Sequence, residues 1–209
     1  MPHLQKLEGD VEAIIERLKL YMLKVILWNR GISNLVSRND EPRFVERHLM
    51  ESLEPASWLR ASGARRWLDV GSGAGLPAIP LILAGVGKEW TLVEARRNKT
   101  LFLIKTIQDM MLSGVTVTCD RYEHLASDPQ LDGRFEGLTA RAALALSPTL
   151  QTASKLVAPG GHAFLWKGSR LDEEPRSDEG WRRYWSEGGV VRVGKGPIRV
   201  VLFNRKTTD

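Results

Sequence analysis

Asp69-Val70-Gly71-Ser72-Gly73-Ala74-Gly75-Leu76-Pro77 is the stretch on which the reading of this chain turns. A short apolar run, Arg66-Trp67-Leu68-Asp69-Val70, leads into it, and an apolar segment from Leu76 to about Ala84 leads out. Strand, glycine loop and helix in that order form the setting a nucleotide-type cofactor needs. The glycines permit positive φ and let a ligand approach the backbone closely. Free N–H donors at the start of the next helix favour anionic groups. Pro77 and Pro80 are tolerated there, because the first turn has no intrahelical acceptors for those positions.

The same alternation continues outward. Trp90–Glu94 reads as a strand, Lys99–Leu112 as a helix and Val115–Cys119 as a strand. Leu138–Arg141 is a further strand, Pro148–Val157 a helix and His162–Lys167 a strand. Strands alternating with helices of this length imply βαβ units and a parallel sheet. The last two strands, Val190–Val193 and Ile198–Phe203, flank only a short Gly-Lys-Gly-Pro turn, so they pair antiparallel at the sheet edge.

Upstream, Leu4, Leu7, Val11, Ile14, Leu18, Met22 and Val25 recur at steps of three and four, the stripe of an amphipathic helix. It ends near Trp28–Gly31. Asn29–Pro42 reads as a loop, and a second helix after Pro42 turns Phe44, Val45, Leu49 and Leu53 inward. The expected organisation is a helical extension over residues 1–60, packed on a cofactor-binding domain over 61–209.

The chain's 209 residues suit one domain. At 43% hydrophobic and 26% charged, its composition argues against disorder. One cysteine, Cys119, excludes an internal disulfide framework and a Cys-rich zinc module; it reads as a small core residue. MPHLQKLEGD lacks a basic segment followed by an apolar one, and no run of about 18 apolar residues occurs. A cytoplasmic protein with no membrane partner is expected, and a monomer. The net charge of +5 lies wholly beyond residue 60, because residues 1–60 carry nine basic and nine acidic side chains. Residues 188–208 hold Arg192, Lys195, Arg199, Arg205 and Lys206 without an acid. Such a patch suits a polyanion, although charge alone fits an ordinary solvated strand pair as well.

Spacing separates two cofactors. The dinucleotide fingerprint is G-x-G-x-x-G, whereas here the third glycine comes one residue early and Asp69 stands two residues ahead of Gly71. That form resembles motif I of class I methyltransferases, which bind S-adenosylmethionine (SAM). Glu94, about 20 residues beyond the loop at the end of the second strand, can take both ribose hydroxyls; it supports a nucleoside rather than SAM specifically. Methylation of an exocyclic amine calls for an Asn/Asp-Pro-Pro-aromatic motif after the fourth strand, where this chain has Thr139-Ala140-Arg141-Ala142. Carbon-5 pyrimidine methylation calls for a nucleophilic cysteine near the fourth or fifth strand, and Cys119 ends the third. A ring nitrogen such as guanine N7 needs neither device, since its lone pair is in plane and unprotonated.

Further motifs carry a family resemblance. Trp28-Asn29 with Asn34-Leu35-Val36-Ser37, then Arg47-His48-Leu49-Met50-Glu51-Ser52-Leu53, are two of them. The others are the loop extended through Ala78-Ile79-Pro80-Leu81, Ala140-Arg141-Ala142 and Trp166-Lys167-Gly168. Together they resemble the RsmG (GidB) family, which methylates N7 of a guanine in bacterial small-subunit (16S) rRNA. The resemblance implies a seven-stranded, mostly parallel sheet with an antiparallel last strand. It implies SAM as cofactor, no metal, and small-subunit rRNA within the ribosomal particle as partner. It further implies that the motif of Asp69, Gly71, Gly73, Gly75 and Leu76 holds SAM, with Glu94 on the ribose. Tyr122 and Glu123 would border the adenine, and Arg141 would join the cofactor site. The catalytic residues stay unknown, with Arg141, Lys167 and His48 as positioning candidates. Arg47, Lys167, Lys195 and Arg199 are the candidates for RNA contact. Ala78, Thr139 and Glu51 replace the family's usual glycine, serine and aspartate, and the acidic stretch 172–179 is an unusual addition. The alternatives are methylation of a small molecule or protein, and a non-catalytic SAM- and RNA-binding assembly factor.

Overall fold

Asp10 starts the first helix: its carboxylate accepts from the N–H groups of Glu12 at 3.0 Å and Ala13 at 3.2 Å. The computed structural model describes residues 10–32, 34–141, 145–169 and 179–207, and places this helix, α1, at Val11–Gly31. Leu4 and Leu7 of the expected stripe lie outside the described residues. Ile14, Leu18 and Val25 of the stripe are buried, whereas Met22 is only partly so and its neighbour Tyr21 is buried instead. Asn29 ends the buried row and organises the turn beyond it. Its Oδ1 accepts from the N–H of Leu35 and Val36, at 2.6 and 3.1 Å, and its Nδ2 donates to Glu41 at 2.6 Å.

The expected loop contains a 3-10 turn at Arg38–Arg43. The helix expected after Pro42 begins instead as a π-helical segment, Val45–Met50, running into α2 (Glu51–Leu53); α3 (Ala56–Ala61) follows. Phe44, Leu49 and Leu53 are buried as expected, but Val45 is 51% exposed. In a π-turn residues five apart share a face. Phe44 and Leu49 therefore point inward together, and Val45 is rotated toward solvent.

Seven strands form one sheet: β1 (Arg66–Val70), β2 (Glu89–Val93), β3 (Val115–Thr118), β4 (Phe135–Arg141), β5 (Val157–Lys167), β6 (Trp185–Arg192) and β7 (Arg199–Arg205). Their order is β3-β2-β1-β4-β5-β7-β6. The first five run parallel, and β7 is antiparallel to both β5 and β6. The connecting helices are α4 (Ala78–Leu83), α5 (Arg97–Asp109), α6 (Tyr122–Leu125) and α7 (Leu146–Leu156). The expected sheet and its antiparallel last strand are present. β5 starts earlier than the expected His162, carrying Pro159-Gly160-Gly161 past an irregularity in β4 between Phe135 and Gly137.

Two apolar layers sandwich the sheet. On one side α1, α4 and the π-helical segment bury Tyr21, Phe44, Leu49, Ile79 and Leu81 against Trp67, Trp90 and Phe164. Trp67 stacks on Trp90, with ring centroids 5.3 Å apart. On the other side α6 and α7 cover Leu68, Leu138 and Leu165, and Trp181 and Trp185 extend that layer to Phe203. Cys119, expected in the core, is exposed. β3 is the outermost strand on its side, so the chain just beyond it has no neighbouring strand to bury it. Of the acidic stretch, residues 172–178 lie outside the described residues, as does Ala142.

Candidate functional site

β1 lies between β2 and β4, where the direction of strand addition reverses, so a crevice opens beyond the strands' carboxyl ends. The register makes those ends level: Val70 is opposite Val93 of β2 and Ala140 of β4. Across the same edge Asp69 faces Thr139, whose Oγ1 donates to its Oδ1 at 2.6 Å. Burial pushes the Asp69 carboxyl up to about 7; hydrogen bonds from Thr139 and Ser72 oppose the shift. Its Oδ2 is buried and has no hydrogen-bond partner among the described residues.

The glycine loop crosses this edge in three left-handed steps, with φ of +68° at Gly71, +56° at Gly73 and +88° at Gly75. These glycines serve different ends. A Cβ on Gly71 would meet nothing within 4 Å, so the backbone there faces open space. At Gly75 it would overlap the Ile79 side chain and come within 3.2 Å of Leu103, so this glycine lets the loop pack on α4 and α5. Leu76 is buried in the same layer. α4 is only six residues long, and the loop backbone rather than a helix dipole shapes the crevice.

Glu94, just past β2, is 7% exposed and closes the loop's other wall. Its Oε2 accepts from the N–H of Gly73 at 2.9 Å and its Oε1 from the N–H of Arg96 at 2.8 Å. Each oxygen keeps a second acceptor direction, which suits a pair of ribose hydroxyls. An open glycine backbone beside a fixed buried carboxylate fits a SAM-type nucleoside. Tyr122 and Glu123 open α6 beyond β3; the Tyr122 side chain is buried in the layer that α6 and α7 cover, whereas Glu123 is exposed.

Arg141 ends β4 and is the most heavily bonded residue at the mouth. Its Nη2 lies 2.6 Å from Glu51 Oε2 and donates to the Arg47 carbonyl at 2.7 Å. Its Nη1 donates to the His48 carbonyl at 3.4 Å and to Ser52 Oγ at 3.3 Å. The second sequence motif, residues 47–53, is thus a clamp on the fourth strand. Trp166 extends it, its Nε1 donating to the Glu51 carbonyl at 2.8 Å. His48 Nδ1 is 3.3 Å from Arg141 Nη2. A guanidinium has no acceptor, so Nδ1 accepts and the ring proton is on Nε2. Burial, reinforced by Arg141, holds the imidazole down at about 4.

The candidates for RNA contact are scattered by comparison. Arg47 is paired with Glu51 at 3.4 Å and Asp40 at 3.9 Å. Lys167 is 7% exposed and lies opposite Arg199 in the β5–β7 register. Lys195 is exposed on the β6–β7 turn, beside a groove lined by Leu18, Met22 and Leu49. Two loop contacts escaped the sequence reading. Tyr21, fully buried on α1, donates its hydroxyl to the Ala74 carbonyl at 2.8 Å. Lys99 of α5 has its ammonium 3.9 Å from where a Gly73 Cβ would stand. The apolar stripe passes through Met22 rather than Tyr21, and no local signal reveals the hydroxyl's target 53 residues away.

Comparison with known proteins agrees with this geometry. A family model, GidB, described as rRNA small subunit methyltransferase G, matches residues 14–186. Relatives with the name "Ribosomal RNA small subunit methyltransferase G" include one from Sorangium cellulosum, 32% identical over 94% of this chain and 82% of its own length. Another, from Halorhodospira halophila, is 34% identical over 82% of this chain and 78% of its own. Among solved structures, a SAM-dependent methyltransferase from Aquifex aeolicus superposes with a TM-score of 0.61 at 17% identity, covering 80% of this chain and 95% of that one. A mutant of MtNAS in complex with SAM gives 0.60 at 20% identity, over 90% of this chain and 73% of that one. The fold is that of class I SAM-dependent methyltransferases.

Proposed function

This chain belongs to the GidB family, rRNA small subunit methyltransferase G, and from that premise we propose that it methylates N7 of a guanine in 16S rRNA with SAM as methyl donor. The single observation that carries the reading is the family match over residues 14–186. The glycine loop, Glu94 and Arg141 at one crevice support it. We take the substrate to be rRNA within the ribosomal particle, and the enzyme to be a cytoplasmic monomer. No helix among the described residues is long and apolar enough to cross a membrane.

Bound SAM supplies an electrophilic methyl on sulfur. The chain's contribution is placement. Gly71 leaves the crevice floor open, Glu94 offers two carboxylate oxygens to the ribose, and Tyr21 braces the loop from below through the Ala74 carbonyl. Arg141, held by residues 47–52, fixes the wall beside which the base must lie. N7 carries no proton to remove, so alignment for in-line transfer is the main demand, worth up to about 7–11 kcal/mol in favourable cases.

The test uses labelled SAM and small ribosomal subunits from a strain lacking this gene, with cleavage selective for 7-methylguanosine to map the product. One cleavage site in 16S rRNA, absent with Gly73→Asp protein, is the expected result. Measurable SAM binding without incorporation would retire the assignment in favour of a non-catalytic factor or a different acceptor.

A further inference from the structure

A second positively charged surface lies on the opposite layer of the sheet from the clamp on Arg141. The last turn of α7, the 3-10 turn Glu179–Arg183 and the end of β7 enclose an open cleft of about 800 Å³. Its walls carry Lys155, Arg183 and Arg205, with hydroxyls from Ser127, Thr152 and Ser154 between them. A second hollow of about 760 Å³ shares Ser127, Ser154, Lys155 and Arg205 with the first, so the two form a continuous track.

The cations here are arranged on aromatic rings. Arg182 sits 4.6 Å from the Trp181 centroid, Arg183 is 5.6 Å from that of Tyr184, and Arg205 is 5.1 Å from the same Tyr184 ring. Stacking limits the sweep of a guanidinium while leaving its N–H edge available. Arg205 spends its donors on the fold, bonding the carbonyls of Ser154 and Tyr184 at 3.0–3.3 Å. Lys206 does the same with the Arg182 carbonyl at 2.7 Å. Those bonds hold the track's shape. Of the cations lining the cleft, Lys155 and Arg183 are exposed and make no ion pair among the described residues. Among the described residues, the acids at hand are Glu123 on one rim, Asp132 in the second hollow, and Glu187, which is 3.7 Å from Arg182.

We propose that this track binds the phosphate backbone of the RNA substrate, apart from the crevice where methyl transfer occurs; the inference rests on the functional reading above. Length, openness and fixed cations match an extended phosphodiester strand. Backbone contacts of this kind position an RNA without reading its sequence.

The experiment measures binding of naked 16S rRNA to the full chain across a KCl series. Wild type is compared with a Lys155→Gln/Arg183→Gln double variant and with its Lys155→Glu/Arg183→Glu counterpart. Losing two phosphate contacts makes the slope of log K against log salt shallower by about 1.4–1.8. Roughly tenfold weaker binding at low salt accompanies it, more for the Glu pair, while SAM affinity and melting temperature hold. An unchanged slope in both variants overturns the proposal. Weakened binding to assembled small subunits with none to naked rRNA also overturns it, pointing to a protein partner. If wild type binds neither naked rRNA nor assembled small subunits, the functional reading itself falls, and that outcome needs no variant to recognise.

Discussion

Glu51 is 1% exposed and its carboxylate is shared between two cations, Arg141 at 2.6 Å and Arg47 at 3.4 Å. Removing one partner of a buried pair strands the other, at a cost of about 3–5 kcal/mol. Glu51→Ala should lose about that much in urea unfolding, and Glu51→Asp, which keeps the charge on a shorter arm, clearly less. A Glu51→Ala protein as stable as wild type would show that Arg141 is solvated where the structure buries it. Protons act at this scale too. Asp69 is raised from 3.8 to about 7 by burial, so between those values the folded state holds a proton that the unfolded state has released. Stability contributed by that proton is present at low pH and is lost as pH rises through about 7. His48 runs the other way: lowered from 6.5 to about 4, it makes the folded state shed a proton, and stability grows as pH rises across that window. The two slopes oppose each other between about pH 4 and 6.5 in the wild type. Asp69→Asn leaves His48 alone. Its unfolding free energy, measured by urea titration at several pH values, should climb with pH over that range more steeply than the wild type's. Parallel profiles would mean that Asp69 titrates normally.

Among elements, the glycine loop separates two jobs that one motif compresses. Gly75→Ala forces a left-handed alanine into Ile79 Cγ1 at 2.8 Å, and should cost about 2–4 kcal/mol from strain and overpacking combined. Gly71→Ala carries the left-handed strain, about 1–2 kcal/mol, but meets nothing within 4 Å. Its methyl group instead enters the crevice, so SAM affinity should drop roughly tenfold, equivalent to about 1.4 kcal/mol. Thermal melts and calorimetric titration read the two effects separately, and equal losses in both variants would contradict the division. The strand–loop–helix unit was legible because glycine spacing and short apolar runs are local signals. The antiparallel last strand was legible because a four-residue turn leaves no room for a crossover. What escaped is non-local. The π-helical start of residues 45–50 is selected by where Phe44 and Leu49 must pack, not by propensity. Arg141 was readable as a strand-end residue beside the crevice, yet its counter-ion stands 90 residues away, and Asp69 meets Thr139 only through strand register. Cys119 misled because its small apolar character says nothing about its place beyond an edge strand.

At the scale of the molecule, the 1–60 segment reads in sequence as a preface and in space as part of the wall. Ile14, Leu18, Tyr21, Val25, Phe44, Leu49, Leu53 and Leu59 share one apolar layer with Trp67, Ile79, Leu92 and Phe164 of the remaining chain. Burying a large apolar side chain stabilises by about 1.5–3 kcal/mol, so losing these eight forfeits roughly 12–24 kcal/mol. That range reaches or exceeds the roughly 5–15 kcal/mol by which domains are typically stable. Among the described residues, the same deletion removes every hydrogen-bond acceptor of the Arg141 side chain and the carbonyl that receives the Trp166 indole. A fragment spanning 61–209 keeps the whole sheet and the glycine loop, yet it leaves the charged end of β4 and the Trp166 indole N–H without these partners. We expect it to unfold without a cooperative urea transition and to bind no SAM, whereas the full chain gives a single transition. A sharp transition with retained SAM affinity in the fragment would make residues 1–60 an appendage. The Arg141 clamp would then act on the reaction alone, without a share in holding the sheet together.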